Sequence, residues 1–207
     1  MISKNIQRIK NQIKTEVLLL AVIKGRSPEE IKMAVQNGIS AIGENRVQEM
    51  LEKLPDLPKD LRIDFIGHLQ TNKVKDVVKN CFLIHSVDSL RLAQEIDRQA
   101  KKIGKVQEIL LEINIANEPT KFGFKKEELV EVLPKLLAFT NIRVKGLMTM
   151  APSPYFKELR EFKNSLEKQF DISLPHLSMG MSNDYKIAVE EGATIIRLGK
   201  VIFEDYY

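Results

Sequence analysis

Leu18-Leu19-Leu20-Ala21-Val22-Ile23-Lys24-Gly25 is the stretch on which the reading of this chain turns. Six apolar residues run unbroken into a lysine, and Arg26, Ser27 and Pro28 follow. A short apolar run bounded by turn residues reads as a strand buried on both faces. Ser27-Pro28-Glu29-Glu30 then reads as a helix start, with an N-cap, proline at the first helical position and acids in the first turn. Lys24 therefore stands where the carboxyl end of a strand hands over to a helix, the rim on which α/β folds bind ligands. Partial desolvation there lowers an ammonium pKa and frees the amine to attack a carbonyl. The plainer alternative is a lysine that reaches out to solvent.

Outward from this stretch, the same alternation recurs. Ile2, Ile6, Ile9 and Ile13 form one stripe of an amphipathic helix ahead of the first strand. Ile39–Gly43, Ile63–Gly67, Phe82–Ser86, Val106–Ile115, Ile142–Met150, His176–Met179 and Thr194–Gly199 read as seven further strands. Helical patterns separate them, at about 25 residues per unit, which is the signature of a (β/α)8 barrel of the TIM type at its small end. Eight residues follow Gly199, too few for a full last helix, so the Ile2–Ile13 helix is expected to fill that gap in the outer ring. No linker or repeat interrupts the pattern, and residues 1–207 read as a single domain.

Composition narrows the function. The net charge is +4, but lysines and glutamates alternate as on a solvated surface, as in Lys125-Lys126-Glu127-Glu128, which argues against a nucleic-acid face. The single cysteine, Cys81, excludes an internal disulfide framework and suits a small buried thiol in a reducing compartment. The N-terminus has no signal-peptide pattern, and no apolar run approaches the ~20 residues of a membrane span. A cytoplasmic protein is expected. His68, His85 and His176 have no metal-ligand spacing, and no G-x-S-x-G elbow supports a hydrolase.

Strand ends converge at the mouth of a barrel. Ser178-Met179-Gly180-Met181-Ser182-Asn183 brings a flexible glycine, a hydroxyl and a helix start, the ingredients of a phosphate cradle, and Gly199 faces it from the next strand. Arg197, inside Ile195-Ile196-Arg197-Leu198, needs a partner or a ligand; Glu112, Glu44 or a heteroaromatic nitrogen would serve. An amine, a phosphate cradle and an arginine together suit a phosphorylated aldehyde, and pyridoxal 5′-phosphate meets all three.

Eight motifs in order carry a resemblance: Ala21-Val22-Ile23-Lys24, Gly43-Glu44-Asn45-Arg46-Val47-Gln48-Glu49, Phe65-Ile66-Gly67-His68-Leu69-Gln70-Thr71-Asn72-Lys73, Ile84-His85-Ser86-Val87-Asp88, Asn114-Ile115 with Lys121-Phe122-Gly123, Gly146-Leu147-Met148, Leu177-Ser178-Met179-Gly180-Met181-Ser182 and Arg197-Leu198-Gly199. Over nearly its whole length the sequence resembles the pyridoxal-phosphate homeostasis protein family, whose fold resembles the barrel domain of alanine racemase. The resemblance implies that Lys24 holds the cofactor as an internal aldimine and that Asn45 lies beside the ring. It places Ser182, Gly199 and Lys200 at the phosphate and Arg197 at the pyridine nitrogen, with Met179 completing the contacts. It implies a carrier that buffers or delivers the cofactor without catalysis, probed by transient contacts with enzymes that use it, and acting as a monomer. Amino-acid racemisation by the same lysine is the alternative, with Tyr155 or Tyr185 as the opposing acid/base; a lysine-dependent aldolase is a third reading. The sequence departs from the family at Lys200, where serine or threonine is usual, at Glu204, where glycine is usual, and at Asp64, where histidine is usual.

Overall fold

A computed structural model describes residues 1–13 and 16–205. The elements in chain order are α1 (Ile2–Lys10), β1 (Leu18–Val22), α2 (Pro28–Gln36), β2 (Ala41–Glu44), α3 (Val47–Lys53), β3 (Arg62–Phe65), α4 (Val74–Asn80), β4 (Leu83–Val87) and α5 (Leu90–Lys102). They continue as β5 (Gln107–Glu112), α6 (Lys126–Leu137), β6 (Ile142–Met148), α7 (Phe156–Phe170), β7 (His176–Ser178), α8 (Tyr185–Glu190), β8 (Ile195–Leu198) and α9 (Lys200–Phe203). The eight strands are parallel and close into a barrel, β8 pairing with β1 in the register Leu20↔Arg197 and Ala21↔Leu198. This is the (β/α)8 architecture expected from the alternation. Most strands are shorter than their apolar runs, whereas β2 and β4 start later and end one residue beyond theirs.

Strand side chains alternate between two layers. Leu20, Ala41, Ile66, Leu83, Leu110, Met148 and Ile195 fill the barrel interior. Leu19, Ala21, Ile42, Phe65, Ile84, Leu177 and Ile196 face the helices, where most of the core lies. By the same alternation Asp64, His85, Ser178 and Arg197 point inward, and all four are buried. Ser27 caps α2 as its sequence predicts: its hydroxyl accepts from the Glu30 N–H, and the Glu30 carboxylate accepts from the Ser27 N–H at 2.9 Å.

The N-terminal helix takes its expected place. α1 packs between α2 and α9, with Ile2, Ile6 and Ile9 buried on one face. Asn5 Nδ2 donates to the carbonyls of Ile202 and Glu204 at 3.1 and 3.0 Å, and Lys10 Nζ donates to the Gly38 carbonyl at 2.8 Å. The helix ends at Lys10 rather than Ile13, which still packs against the core. Cys81 is buried against Met50, and burial pushes its thiol up to about 12, so it is an inert core residue.

Because α1 completes the ring, Ile9→Ala is expected to destabilise the whole barrel by about 2–5 kcal/mol, the usual cost of such a core truncation. Urea unfolding should show this as a lower midpoint with an unchanged slope; a change below 1 kcal/mol, roughly the level of a surface substitution, would contradict the docking.

Candidate functional site at the carboxyl rim

Lys24 lies just past β1 in a tight turn. The Arg26 N–H closes it on the Ile23 carbonyl at 3.0 Å, and Gly25 supplies the left-handed conformation it needs, at φ 68°. Two residues of α3 hold the turn from below. Lys53 Nζ donates to the Ile23 carbonyl at 2.8 Å, and the Gly25 N–H donates to Glu49 Oε2 at 3.2 Å. The Lys24 residue itself is exposed. The expectation of a partly desolvated amine is corrected on this point: Lys24 lies past the end of β1, in the exposed turn and not in the apolar strand.

Glu44, one of the carboxylates considered for Arg197, is engaged elsewhere. It is fully buried on the side of α3, where Lys53 Nζ donates to it at 2.8 Å and the Asn45 and Arg46 N–H groups donate at 2.7 and 3.3 Å. It orders the start of the β2–α3 loop. Asn45 follows it at the rim, and its side-chain oxygen Oδ1 is buried with no hydrogen-bond partner among the described residues. An orphaned acceptor of this kind is uncommon and suits a ligand hydroxyl.

Arg197 is 3% exposed and makes no carboxylate contact among the described residues. Its Nη1 donates to Ser178 Oγ at 2.7 Å, and its Nη2 donates to the Thr149 carbonyl at 2.8 Å and to Met150 Sδ at 3.3 Å. Nε has no protein acceptor among the described residues, so a fixed, unneutralised guanidinium keeps a donor for a ligand. Burial pulls its pKa down to about 10, with Glu112 and Asp184 opposing from a distance. The proposed pairing with Glu112 does not form. The Glu112 carboxylate has no hydrogen bond among the described residues, and burial, with the nearby Asp88 charge, pushes it up to about 7, against a weaker pull from Arg197. A true ion pair moves a carboxylate in the opposite direction.

The loops after β7 and β8 meet. Gly180 adopts φ 90°, and a Cβ there would lie 2.4 Å from the Ala188 Cβ, so glycine is required to seat this loop on α8. The Val201 N–H donates to Ser182 Oγ at 3.4 Å, which brings Ser182, Gly199 and Lys200 together. Gly199 itself has φ −114°, and a Cβ would make only ordinary contact with Val22 at 3.5 Å. Lys200 is exposed. Met179 is fully buried and packs in the helix-facing layer, so its side chain is turned away from the mouth. The Glu204 departure has a local partner: it pairs with Arg26, whose guanidinium also lies 5.1 Å from the centre of the Phe203 ring.

Neither tyrosine considered for racemisation stands at the mouth. Tyr185 is buried and donates to Gln12 Oε1 at 2.6 Å, beyond α1, and Tyr155 packs on the helix-facing core. Sequence reasoning missed the inner polar residues Asp64 and His85 as neighbours of the site. Their only local signal is a polar residue at an inward position of an apolar strand. On the β5 and β6 side a cleft of about 440 Å³ opens between Glu112, Phe122, Thr149 and Met150. His68 stacks on Phe122 with ring centres 3.7 Å apart and Nδ1 at 3.1 Å from Asp88. No group of His, Cys, Asp and Glu among the described residues could hold a metal.

The raised Glu112 pKa has a measurable consequence. The folded chain binds its proton more tightly than the unfolded chain, whose carboxyl titrates near the ordinary 4.5. This stability is complete in acid and is lost as pH rises from about 4.5 through about 7, on the order of 3 kcal/mol in all. Glu112→Gln should remove that part of the slope in urea-unfolding midpoints taken across this range. An identical slope in both proteins would contradict the assignment.

The chain matches the family model described as "Alanine racemase, N-terminal domain" over residues 1–206. It is 45% identical over 195 residues to the pyridoxal phosphate homeostasis protein of Aquifex aeolicus, covering 89% of this chain and 85% of that one. It is 41% identical to the protein of the same name from Synechocystis, covering 91% of each. Among solved structures it resembles PipY of Synechococcus elongatus with pyridoxal phosphate bound, at a TM-score of 0.92, 36% identity and 98% and 100% coverage. Alanine racemase of Clostridium difficile shares the fold at a TM-score of 0.80 and 20% identity, and this chain spans 56% of its length. By sequence and by fold, the chain belongs to the pyridoxal phosphate homeostasis proteins, within the larger family of the alanine racemase N-terminal domain.

Proposed function

We propose that this protein binds pyridoxal 5′-phosphate at the carboxyl rim and serves in cofactor homeostasis, holding the reactive aldehyde and releasing it to enzymes that need it, without catalysis of its own. The observation that carries the reading is the likeness, end to end, to a 36% identical protein that binds the same molecule. The residues of this chain fit the group. Lys24 offers a primary amine and, among the described residues, Arg197 Nε is a donor without an acceptor and Asn45 Oδ1 a buried acceptor without a donor. Bound there, the cofactor supplies an aldehyde that condenses reversibly with a primary amine, releasing water.

The roles of the chain's own residues follow from their environments. Lys24 supplies the amine, and Glu49 and Lys53 fix the turn that carries it. Arg197 donates to the ring nitrogen; a cation that cannot give up its proton keeps that nitrogen unprotonated and so limits the ring as an electron sink. Ser182 and the main chain at Gly199 and Lys200 receive the phosphate, with the Lys200 ammonium free at the surface to add charge. A racemase needs an acid/base on each side of its substrate, and the two tyrosines that could provide the second are packed away from the mouth.

Mixing the protein with pyridoxal 5′-phosphate should give the absorbance band of a covalently captured aldehyde, and borohydride should fix one cofactor on the peptide containing Lys24. Lys24→Ala should lose both. Retention of the band by that variant would overturn the assignment of the amine. In deuterated buffer the loaded protein should exchange the α-proton of alanine no faster than free cofactor does; a rate at least ~100-fold faster, the low end of what one positioned acid/base adds, would establish catalysis instead.

A further inference from the structure

Four inward-facing polar side chains from β3, β4, β7 and β8 form one continuous line of hydrogen bonds inside the barrel. At the amino end Arg62 grips Asp64 with two bonds, Nε to Oδ1 and Nη2 to Oδ2, both 2.9 Å. Asp64 Oδ2 lies 3.1 Å from His85 Nε2, His85 Nδ1 lies 2.9 Å from Ser178 Oγ, and Ser178 Oγ receives Arg197 Nη1. Asp64 and His85 are 0% exposed, and Ser178 likewise.

We infer that Asp64, His85 and Ser178 are positioning residues that fix Arg197 for its ligand through a one-way chain of hydrogen bonds running across the barrel interior. For the ligand's identity the inference rests on the cofactor reading above.

The direction of the chain follows from donor and acceptor inventory. A carboxylate only accepts, so His85 Nε2 carries a proton toward Asp64. A guanidinium only donates, so Ser178 Oγ accepts from Arg197. The Ser178 hydroxyl hydrogen then needs an acceptor, and among the described residues the only one within reach is His85 Nδ1. That assignment leaves Nδ1 bare and the imidazole neutral. Burial lowers the His85 pKa against the opposing pull of Asp64, in agreement. Burial works to raise the Asp64 carboxyl, but the hydrogen bonds from His85 and Arg62, with the Arg62 charge, outweigh it and keep the group ionised. Each member has one role in one direction, so a change at Asp64 reaches Arg197 by turning His85 and then the hydroxyl.

The functional content is the state of the arginine. Ser178 and the Thr149 carbonyl hold its two terminal nitrogens with neutral acceptors, so orientation is fixed while the charge remains unspent. A carboxylate in either place would have fixed the orientation and neutralised the charge. The Asp64 charge that balances the barrel interior is kept two side chains away, against Arg62.

The test has two independent readouts. In the protein without cofactor, long-range ¹⁵N–¹H correlation should show His85 protonated at Nε2 alone at neutral pH; a protonated Nδ1 would overturn the direction of the chain. With pyridoxal 5′-phosphate added, Ser178→Ala should shift the band and the emission of the bound cofactor and weaken its retention about tenfold. Ser178→Thr, which restores the hydroxyl, should recover the wild-type spectrum, and Asp64→Asn should shift it in the same sense by less. An unchanged spectrum in a folded Ser178→Ala protein, with fold checked by thermal melting, overturns the inference. If that variant fails to fold, the Ser178→Thr spectrum and the wild-type tautomer decide. Failure of the wild type to take up the cofactor would defeat the cofactor reading, whereas the tautomer would still test the chain.

Discussion

The pairing of β8 with β1 is the constraint from which the site follows. Until those two strands meet, the lysine after β1 and the arginine within β8 belong to opposite ends of the sequence. Once Leu20 stands in register with Arg197, their rims adjoin, and the loops carrying Lys24, Ser182 and Gly199 face one mouth. Closure in turn depends on α1. Among the described residues a single turn of helix follows β8, and the isoleucine stripe of α1 packs beside it on the barrel.

Inside the barrel, separation decides which charges are compensated. Asp64 has Arg62 and His85 at hydrogen-bond distance and stays ionised despite complete burial. Glu112 shares the interior with Arg197 but does not touch it, and desolvation wins. Both follow from one rule: a buried carboxylate needs direct donors, because Coulomb attraction across several ångströms does not repay the water it has lost. Arg197 obeys it in mirror image, solvated by a hydroxyl, a carbonyl and a thioether rather than by an opposite charge.

Much of this architecture was legible in the sequence because it is written in local pattern. The apolar run ending in Lys24, the Ser27–Glu30 capping box and the α1 stripe each depend on spacing within one element. What escaped is what depends on facing elements. Lys53 and Glu49 hold the Lys24 turn from a helix one unit further along, and nothing in their own neighbourhood marks them. Glu44 looked like a rim residue but turned toward α3, because strand alternation carries its side chain outward and Asn45 inward. Met179 is a site residue by the resemblance, but strand alternation sends its side chain to the helix-facing core. Asp64 and His85 were each visible as polar residues in apolar strands. Their contact with each other, and through Ser178 with Arg197, crosses the barrel and leaves no trace along the chain.

The hydrogen bonds from Asn5 to the carbonyls of Ile202 and Glu204 join segments nearly 200 residues apart. During synthesis α1 can meet α2 early, but its seat against α9 must wait until the segment beyond β8 has emerged. A nascent chain therefore cannot seal its barrel piecemeal, and the mouth that grips the ligand is assembled in the final moments of folding. Truncated translation products would carry the lysine without the arginine, and so would meet a reactive aldehyde with no means of retaining it selectively.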